Sequence, residues 1–331
     1  MNPFISIIVP IRNEEKYIAH CLESIINQDY DLQRYEVLVV DGMSDDRTRI
    51  IIEEFKTKYD NVRLFDNSNE TVPYALNIGL RHAIGDVIIR VDGHAALERN
   101  YLQQCVKYLQ QTKAECVGGV IDNVNETFIG KSIALAMSSP FGVGNARFRT
   151  SGKEGFVDCL AFGAYRREVF NKIGYFDEEF MRCQDDEFNY RLREFGGKIF
   201  FTPNIKSYYY PRSNLKKLWR QYFNYGLWKI RVLQKHFKRM QPRQFVPLAF
   251  ICFLITTGIL GIFSNTMLFA FYSIALVYIV VDLFVSLKIS LKRNLKYFRV
   301  LPIIFPILHV SYGLGFLWGF VKFSKYWKRD K

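Results

Sequence analysis

The chain has 331 residues, 49% of them hydrophobic, and a formal net charge of +13, which leaves room for one large or two ordinary domains around a sizeable core. Residues 1–205 carry 24 Lys and Arg against 30 Asp and Glu, whereas residues 206–331 carry 21 against 2. The basic half is also the apolar half, which points to an anionic membrane surface and argues against nucleic acid as the partner. The six cysteines are scattered, with no Cys-x-x-Cys spacing, which excludes a disulfide framework and suits a reducing compartment.

Ile5 to Val9 is read as a strand, since it has no basic leader and no small-residue cleavage site of a signal peptide. Pro10 to Glu15 is a polar loop opening a helix that runs through about Ile26. Tyr35 to Val40 is a second strand, ending in Asp41, and a helix with Ile50, Ile51 and Phe55 on one face follows. Val62–Phe65, Tyr74–Ala83 and Asp86–Val91 continue as strand, helix and strand. Alternation of this kind implies a mostly parallel sheet, whose ligands bind beyond the carboxyl ends of the strands.

Glu14, Asp41 and Asp92 fall along that rim, and such an acidic edge repels a bare phosphate unless a cation intervenes. Asp92-Gly93-His94 ends the run Val87–Val91, and its alternating residues can aim a hard oxygen and an imidazole nitrogen at one divalent ion holding a diphosphate. A strand followed by an Asx turn leaves the same pattern. Asp45 also suits a helix N-cap and Glu14 a first-turn charge on a helix dipole. Neither the Gly-x-Gly-x-x-Gly nor the P-loop pattern occurs, so neither mode of nucleotide binding is suggested.

Further on, Glu115–Val120 reads as a strand, and 138–155 is a glycine- and proline-rich stretch that serves as connector or as lid. Gln184-Asp185-Asp186-Glu187 opens a helical pattern from Asp186. Acids at a helix start satisfy its dipole, and a carboxylate aimed into a cleft is also the simplest base for a hydroxyl proton. Gly197–Thr202 is read as the last strand, followed by Ser207 to Arg212. Leu215, Leu218, Tyr222, Tyr225, Trp228 and Val232 recur at threes and fours with basic residues between them, an amphipathic basic helix. Phe245–Phe263 has 19 residues without a charge and Thr266–Leu287 has 22 with only Asp282. Each suffices for a hydrocarbon core of about 30 Å, and flanking Lys and Arg place both ends of this hairpin in the cytoplasm. Residues 300–321, interrupted by Pro302, Pro306 and His309, are either a third span or a re-entrant segment.

Ile7-Ile8-Val9-Pro10 with Asn13-Glu14, Val39-Val40-Asp41-Gly42 with Ser44-Asp45, and Asp92-Gly93-His94 in place of Asp-x-Asp resemble the family 2 glycosyltransferases of GT-A fold. Arg90 to Ala95, Ala161 to Arg166 and Gln184 to Glu187 look closest to the bacterial succinoglycan-type polysaccharide glucosyltransferase branch. The resemblance covers residues 4 to about 230. It implies an α/β GT-A domain with a mixed, mostly parallel sheet over 1–212, followed by the basic interface helix 213–243. The transmembrane region 244–331 comes last, with spans at about 245–263, 266–287 and a candidate third at 300–321.

The resemblance further implies an inverting, metal-dependent enzyme that moves sugar from a nucleoside-diphosphate sugar, a UDP-hexose such as UDP-glucose, to a polyprenyl-linked glycan. Asp92 and His94 would hold Mn²⁺ or Mg²⁺, and Pro10, Asn13, Glu14, Asp41 and Asp92 would meet the nucleotide-sugar, with Asp41 accepting from the base ring. Registering the acidic motif on Arg191 puts the catalytic base at Asp185. Gln184 stands where the family has Glu, which leaves Asp186 as the alternative. Tyr208 to Tyr210 stand where many members have a third metal ligand, so none is expected. Gln221 alone carries over from the family's acceptor motif. The protein is thus expected in the cell inner membrane with its catalytic domain cytoplasmic. Rival readings are transfer onto polyprenyl phosphate itself and a non-catalytic nucleotide-binding membrane scaffold.

Overall fold

A computed structural model describes residues 2–144, 152–210 and 214–328. The chain divides into two compact units, residues 1–122 with 147–210, and residues 123–146 with 211–331. Residues 145–151, the middle of the connector-or-lid stretch, lie outside the described residues.

The first unit opens with β1 (Ile5–Ile11), β2 (Tyr35–Asp41), β3 (Val62–Asp66) and β4 (Val87–Arg90), joined by helices α1 (Ile18–Ile26), α2 (Thr48–Lys58) and α3 (Val72–His82). All neighbouring pairs among the four are parallel, in the order β3-β2-β1-β4. β1 and β2 are buried along their whole length, as runs dominated by Ile and Val require of strands covered on both faces, and the buried Ser6 and Glu36 between them bond each other at 2.6 Å. The chain continues through β5 (Ala95–Leu97), α4 (Tyr101–Thr112) and β6 (Cys116–Asn123), passes through α5 (Phe128–Met137) and α6 (Pro140–Val143), and returns as β7 (Gly155–Val157). Then follow β8 (Ala164–Arg166), α7 (Arg167–Ile173), α8 (Gln184–Glu194) and β9 (Ile199–Tyr209).

The sheet is therefore mixed, parallel in its first four strands and antiparallel where β8 joins β4 and β6 and where β9 joins β5 and β7. The last strand does not stop at Thr202. It runs to Tyr209 because Ile205 and Ser207 keep an inward alternation and Ser207–Tyr209 pair with Ala95–Leu97. The three-residue strands β5, β7 and β8 are too short to show a period in sequence.

The second unit holds α5, α6, α9 (Leu215–His236), α10 (Val246–Leu260), α11 (Asn265–Arg293) and α12 (Leu301–Lys322). The stretch 123–144, read in sequence as part of the catalytic domain, thus packs with the C-terminal helices. The cause is apolar: Ile133, Ala136 and Met137 of α5 share a core with Leu218, Phe305 and Leu308. Three segments, 242–260, 265–293 and 301–322, are long and apolar enough to cross a membrane. Their most apolar windows are 11%, 6% and 44% buried within the protein, so α12 is the spine and α10 and α11 present apolar surface outward. Leu301–Lys322 is one continuous helix through Pro306.

α9 carries the basic amphipathic pattern read in sequence as an interface helix. Its apolar stripe, Leu218, Tyr222, Leu227 and Ile230, is buried, and so are Lys229 and Arg231. Glycines let its backbone meet that of α12: a methyl on Gly226 would stand 2.0 Å from the Tyr312 carbonyl oxygen, and one on Gly315 would stand 2.0 Å from that of Phe223. Close backbone approach through small residues is how apolar helices associate where water provides no drive. Gly315→Ala is expected to cost about 1–3 kcal/mol through overpacking. The midpoint of thermal unfolding in detergent should fall, and an unchanged midpoint would contradict this packing.

Candidate active site

The loops at the carboxyl ends of β1, β2 and β4 carry the polar residues of the first unit. The first two loops interlock: Ser44 Oγ accepts from Asn13 N–H at 2.9 Å, Asn13 Oδ1 accepts from Asp45 N–H at 3.0 Å, and Thr48 Oγ1 accepts from Glu14 N–H at 2.8 Å. Asn13 sits at φ +54°, a left-handed turn that asparagine tolerates better than most residues. Asp45 does not cap α2. Thr48 N–H instead donates to Asp46 at 2.9 Å. Pro10 lies inside β1, beside Val40.

Asp41 is fully buried, and its carboxylate accepts from Ser44 Oγ at 2.5 Å and from Arg49 Nη1 at 3.3 Å. Arg49 also pairs with Asp66 at 2.6 Å. A buried carboxylate must be satisfied internally, and here the loop it caps supplies the donors. These bonds give Asp41 a part in shaping that loop, at the rim where the base-ring contact is expected.

β4 ends in Arg90, and two residues later Asp92 turns back to it. Arg90 Nη2 and Nε donate to Asp92 Oδ1 at 2.7 and 3.2 Å, while Nη1 donates to Asp185 Oδ1. One buried guanidinium therefore joins the end of β4 to the first turn of α8. No described residue bonds to the second oxygen of either carboxylate. Beside them His94 Nδ1–H donates to Glu14 Oε1 at 2.8 Å. The Tyr209 ring meets the imidazole edge-on, centroids 4.9 Å apart. Gly93 permits the approach, since a methyl there would come within 2.6 Å of Ile11 Cγ2 and 3.4 Å of Glu14 Cγ.

The three acids opening α8 are sorted by their partners. Asp185 faces Arg90, Asp186 Oδ1 accepts from the Cys159 thiol at 3.0 Å, and Glu187 makes two bonds of 2.9 Å with Arg191 one turn on. The helix begins at Gln184, two residues earlier than the pattern suggested. Burial pushes the Asp185 carboxyl up to about 6 against the pull of Arg90. Burial alone would lift Asp92 too, but Arg90 and then His94 outweigh it and hold that carboxyl below its ordinary range. Two carboxylates sharing one cation are thus driven apart, one kept ionised and one poised near neutrality.

A divalent cation fits this donor set. Asp92 keeps one carboxylate oxygen clear of Arg90, and the imidazole of His94, bonded through Nδ1 to Glu14, stands beside it in a carboxylate–histidine arrangement typical of metal ligands. No three His, Cys, Asp or Glu side chains converge on one point among the described residues. The pair therefore suits an ion that completes its shell with phosphate oxygens and water. Gln221, the acceptor candidate, lies on α9 in the second unit, where its amide donates to Tyr225 OH at 2.9 Å. Sequence reasoning gave no role to Arg90, Cys159 or Tyr209. For Arg90 a signal existed, because an arginine closing a fully apolar strand must find an anionic partner.

A half-parallel, half-antiparallel sheet with an Asp-x-His turn at its rim and an acidic helix start facing it defines a glycosyltransferase of GT-A fold. The glycosyl transferase family 2 profile matches residues 6–174, and the chain belongs to that family. It is 32% identical over 96% of its length to the dolichyl N-acetyl-α-D-glucosaminyl phosphate 3-β-D-2,3-diacetamido-2,3-dideoxy-β-D-glucuronosyltransferase of Methanococcus voltae, covering 98% of that protein. It is 30% identical to the succinoglycan biosynthesis protein ExoA of Rhizobium meliloti over 73% of this chain and 74% of that one. Among solved structures, the mannosyltransferase PcManGT of Pyrobaculum calidifontis, in complex with GDP-Man and Mn²⁺, shares the fold at 18% identity. Its TM-score is 0.64, covering 96% of this chain and 88% of that one.

Proposed function

We propose that this glycosyltransferase is a membrane-attached, metal-assisted, inverting enzyme that transfers a hexose from a UDP-sugar to a saccharide carried on a polyprenyl lipid. The observation that carries the mechanism is the convergence of Asp92 and Asp185 on Arg90, with the Glu14–His94 pair alongside. In this reading Asp92 and His94 hold Mn²⁺ or Mg²⁺ against the donor diphosphate. The ion, when bound, supplies a Lewis acid for the leaving group. Pro10, Asn13 and Glu14, with the loop anchored by Asp41, form the nucleoside side.

Asp185 takes the acceptor hydroxyl proton on its open oxygen as that hydroxyl attacks the anomeric carbon. The bond from that carbon to the diphosphate breaks on the opposite face, its electron pair leaving with the diphosphate, so one displacement inverts configuration. A lipid-linked acceptor is supported by the Methanococcus voltae relative, whose name specifies a dolichyl-phosphate-linked sugar. Membrane attachment is supported by the outward apolar surface of α10 and α11 and by the +19 balance of residues 206–331. Their flanking basic residues favour a cytoplasmic catalytic domain and an inner-membrane location. Gln221 is retained as the acceptor-side candidate.

Membranes containing the protein should be incubated with a panel of radiolabelled nucleotide sugars and a lipid extract, with and without EDTA. Label entering the lipid fraction from one donor, and only with metal, is the expected result. Label persisting in EDTA would overturn the metal assignment, and no labelling from any donor would overturn the acceptor reading.

A further inference from the structure

We infer that Arg90 is a positioning residue for the transfer step, setting the separation and orientation of the carboxylate that faces the donor and the carboxylate that takes the acceptor proton. The inference rests on the roles proposed above for Asp92 and Asp185. Arg90 is 6% exposed, its strand register is fixed beside Ile8 of β1, and its stem is therefore held by the sheet.

From that fixed stem the planar head bonds Oδ1 of Asp92 through Nε and Nη2 and Oδ1 of Asp185 through Nη1. Each carboxylate spends one oxygen on the guanidinium and keeps the other for chemistry. The rigid fork leaves one oxygen of each carboxylate unbonded to the shared cation, and its charge offsets the repulsion two neighbouring, half-buried carboxylates feel. A lysine would retain the charge but not the geometry, because an ammonium is a point charge on a flexible stem. A base misplaced by about 1 Å costs on the order of 10²-fold in rate, so fixing this distance is worth that much without Arg90 touching substrate.

The test compares full-length protein in detergent or nanodiscs as wild type, Arg90→Lys, Arg90→Met, Asp185→Asn and the double variant Arg90→Met/Asp185→Asn. Transfer is read as kcat and donor KM with the donor found in the labelling panel, and binding is read by calorimetry with UDP in the presence of Mn²⁺. Both Arg90 single variants should lose about 100-fold in kcat, with UDP affinity and donor KM changed less than about 3-fold, and lysine should fail to rescue. The double variant should lose much less than the product of the two single losses, because the part of Arg90's role that acts through Asp185 has nothing left to position. Full rescue by lysine, multiplying losses in the double variant, or UDP affinity falling in step with kcat would each overturn the inference. Activity retained in Asp185→Asn would instead overturn the base assignment. If thermal melting shows that Arg90→Met does not fold, Arg90→Lys, which keeps charge and stem, decides the matter.

Discussion

Asp185→Asn is expected to lower transfer by about 10²–10⁴-fold, the range that general acid–base groups contribute, while leaving UDP binding in Mn²⁺ within a few fold. The amide keeps size and can still meet Arg90 through its oxygen, but it cannot accept a proton. Asp186→Asn, one residue on, should have a small effect, because its partner is the Cys159 thiol and not the Arg90 head. The pH dependence follows from burial, which raises the Asp185 carboxyl to about 6. A base works when deprotonated, so kcat/KM should be full above that value and fall as pH drops through about 6. The residual activity of Asp185→Asn should lack this limb. If the variant transfers within tenfold of wild type, no general base operates at Asp185, and an acceptor that is already anionic, such as polyprenyl phosphate, becomes the better reading.

The second large effect is expected at the other end of Arg90. Asp92→Asn removes a carboxylate that Arg90 and His94, against burial, hold below its ordinary range, and with it the hard ligand for the ion that neutralises the leaving diphosphate. Loss of about 4 kcal/mol of such stabilisation corresponds to roughly 10³-fold in kcat/KM. Glu14→Gln should act more mildly, by about 10–100-fold in Mn²⁺ affinity, because it orients His94 and does not itself ligate. Titrating Mn²⁺ into each variant and reading donor binding by calorimetry separates the two. Unchanged metal dependence in Asp92→Asn would sink the assignment of this turn as the cation site. An unaffected Glu14→Gln would make the Glu14–His94 bond incidental to it.

These expectations rest on features of unequal legibility. The parallel half of the sheet was readable because Ile5–Val9, Tyr35–Val40 and Val87–Val91 are runs dominated by Ile, Val and Leu, each with a single polar residue, that end in polar loops, and burial on both faces demands that pattern. The antiparallel half was not. Ala95–Leu97 and Ala164–Arg166 form strands only because longer neighbours template them. The tyrosines Tyr208 and Tyr209 read as an aromatic tail until Ala95 and Ala96 are seen pairing with them. Among candidate site residues, Asp92 and His94 were singled out from a strand end, and Asp185 from the family register on Arg191.

What sequence could not give is which oxygen of each is spent. That Glu14 serves His94, and that Asp41 is sealed under Ser44 and Arg49, are long-range facts set by the interlocking of two loops. The α9 helix shows the same limit. Its basic amphipathic stripe gave no sign that its backbone meets that of α12 at Gly226 and Gly315, which are far apart in the chain.

The central claim is a single in-line displacement in which Asp185 deprotonates the acceptor. The most direct measurement is the anomeric configuration, by NMR, of the lipid-linked product formed from an α-linked UDP-sugar in Mn²⁺. A β-linked product, formed about 10²–10⁴-fold more slowly by Asp185→Asn, is what the account predicts. An α-linked product would mean that configuration is retained, and would contradict it.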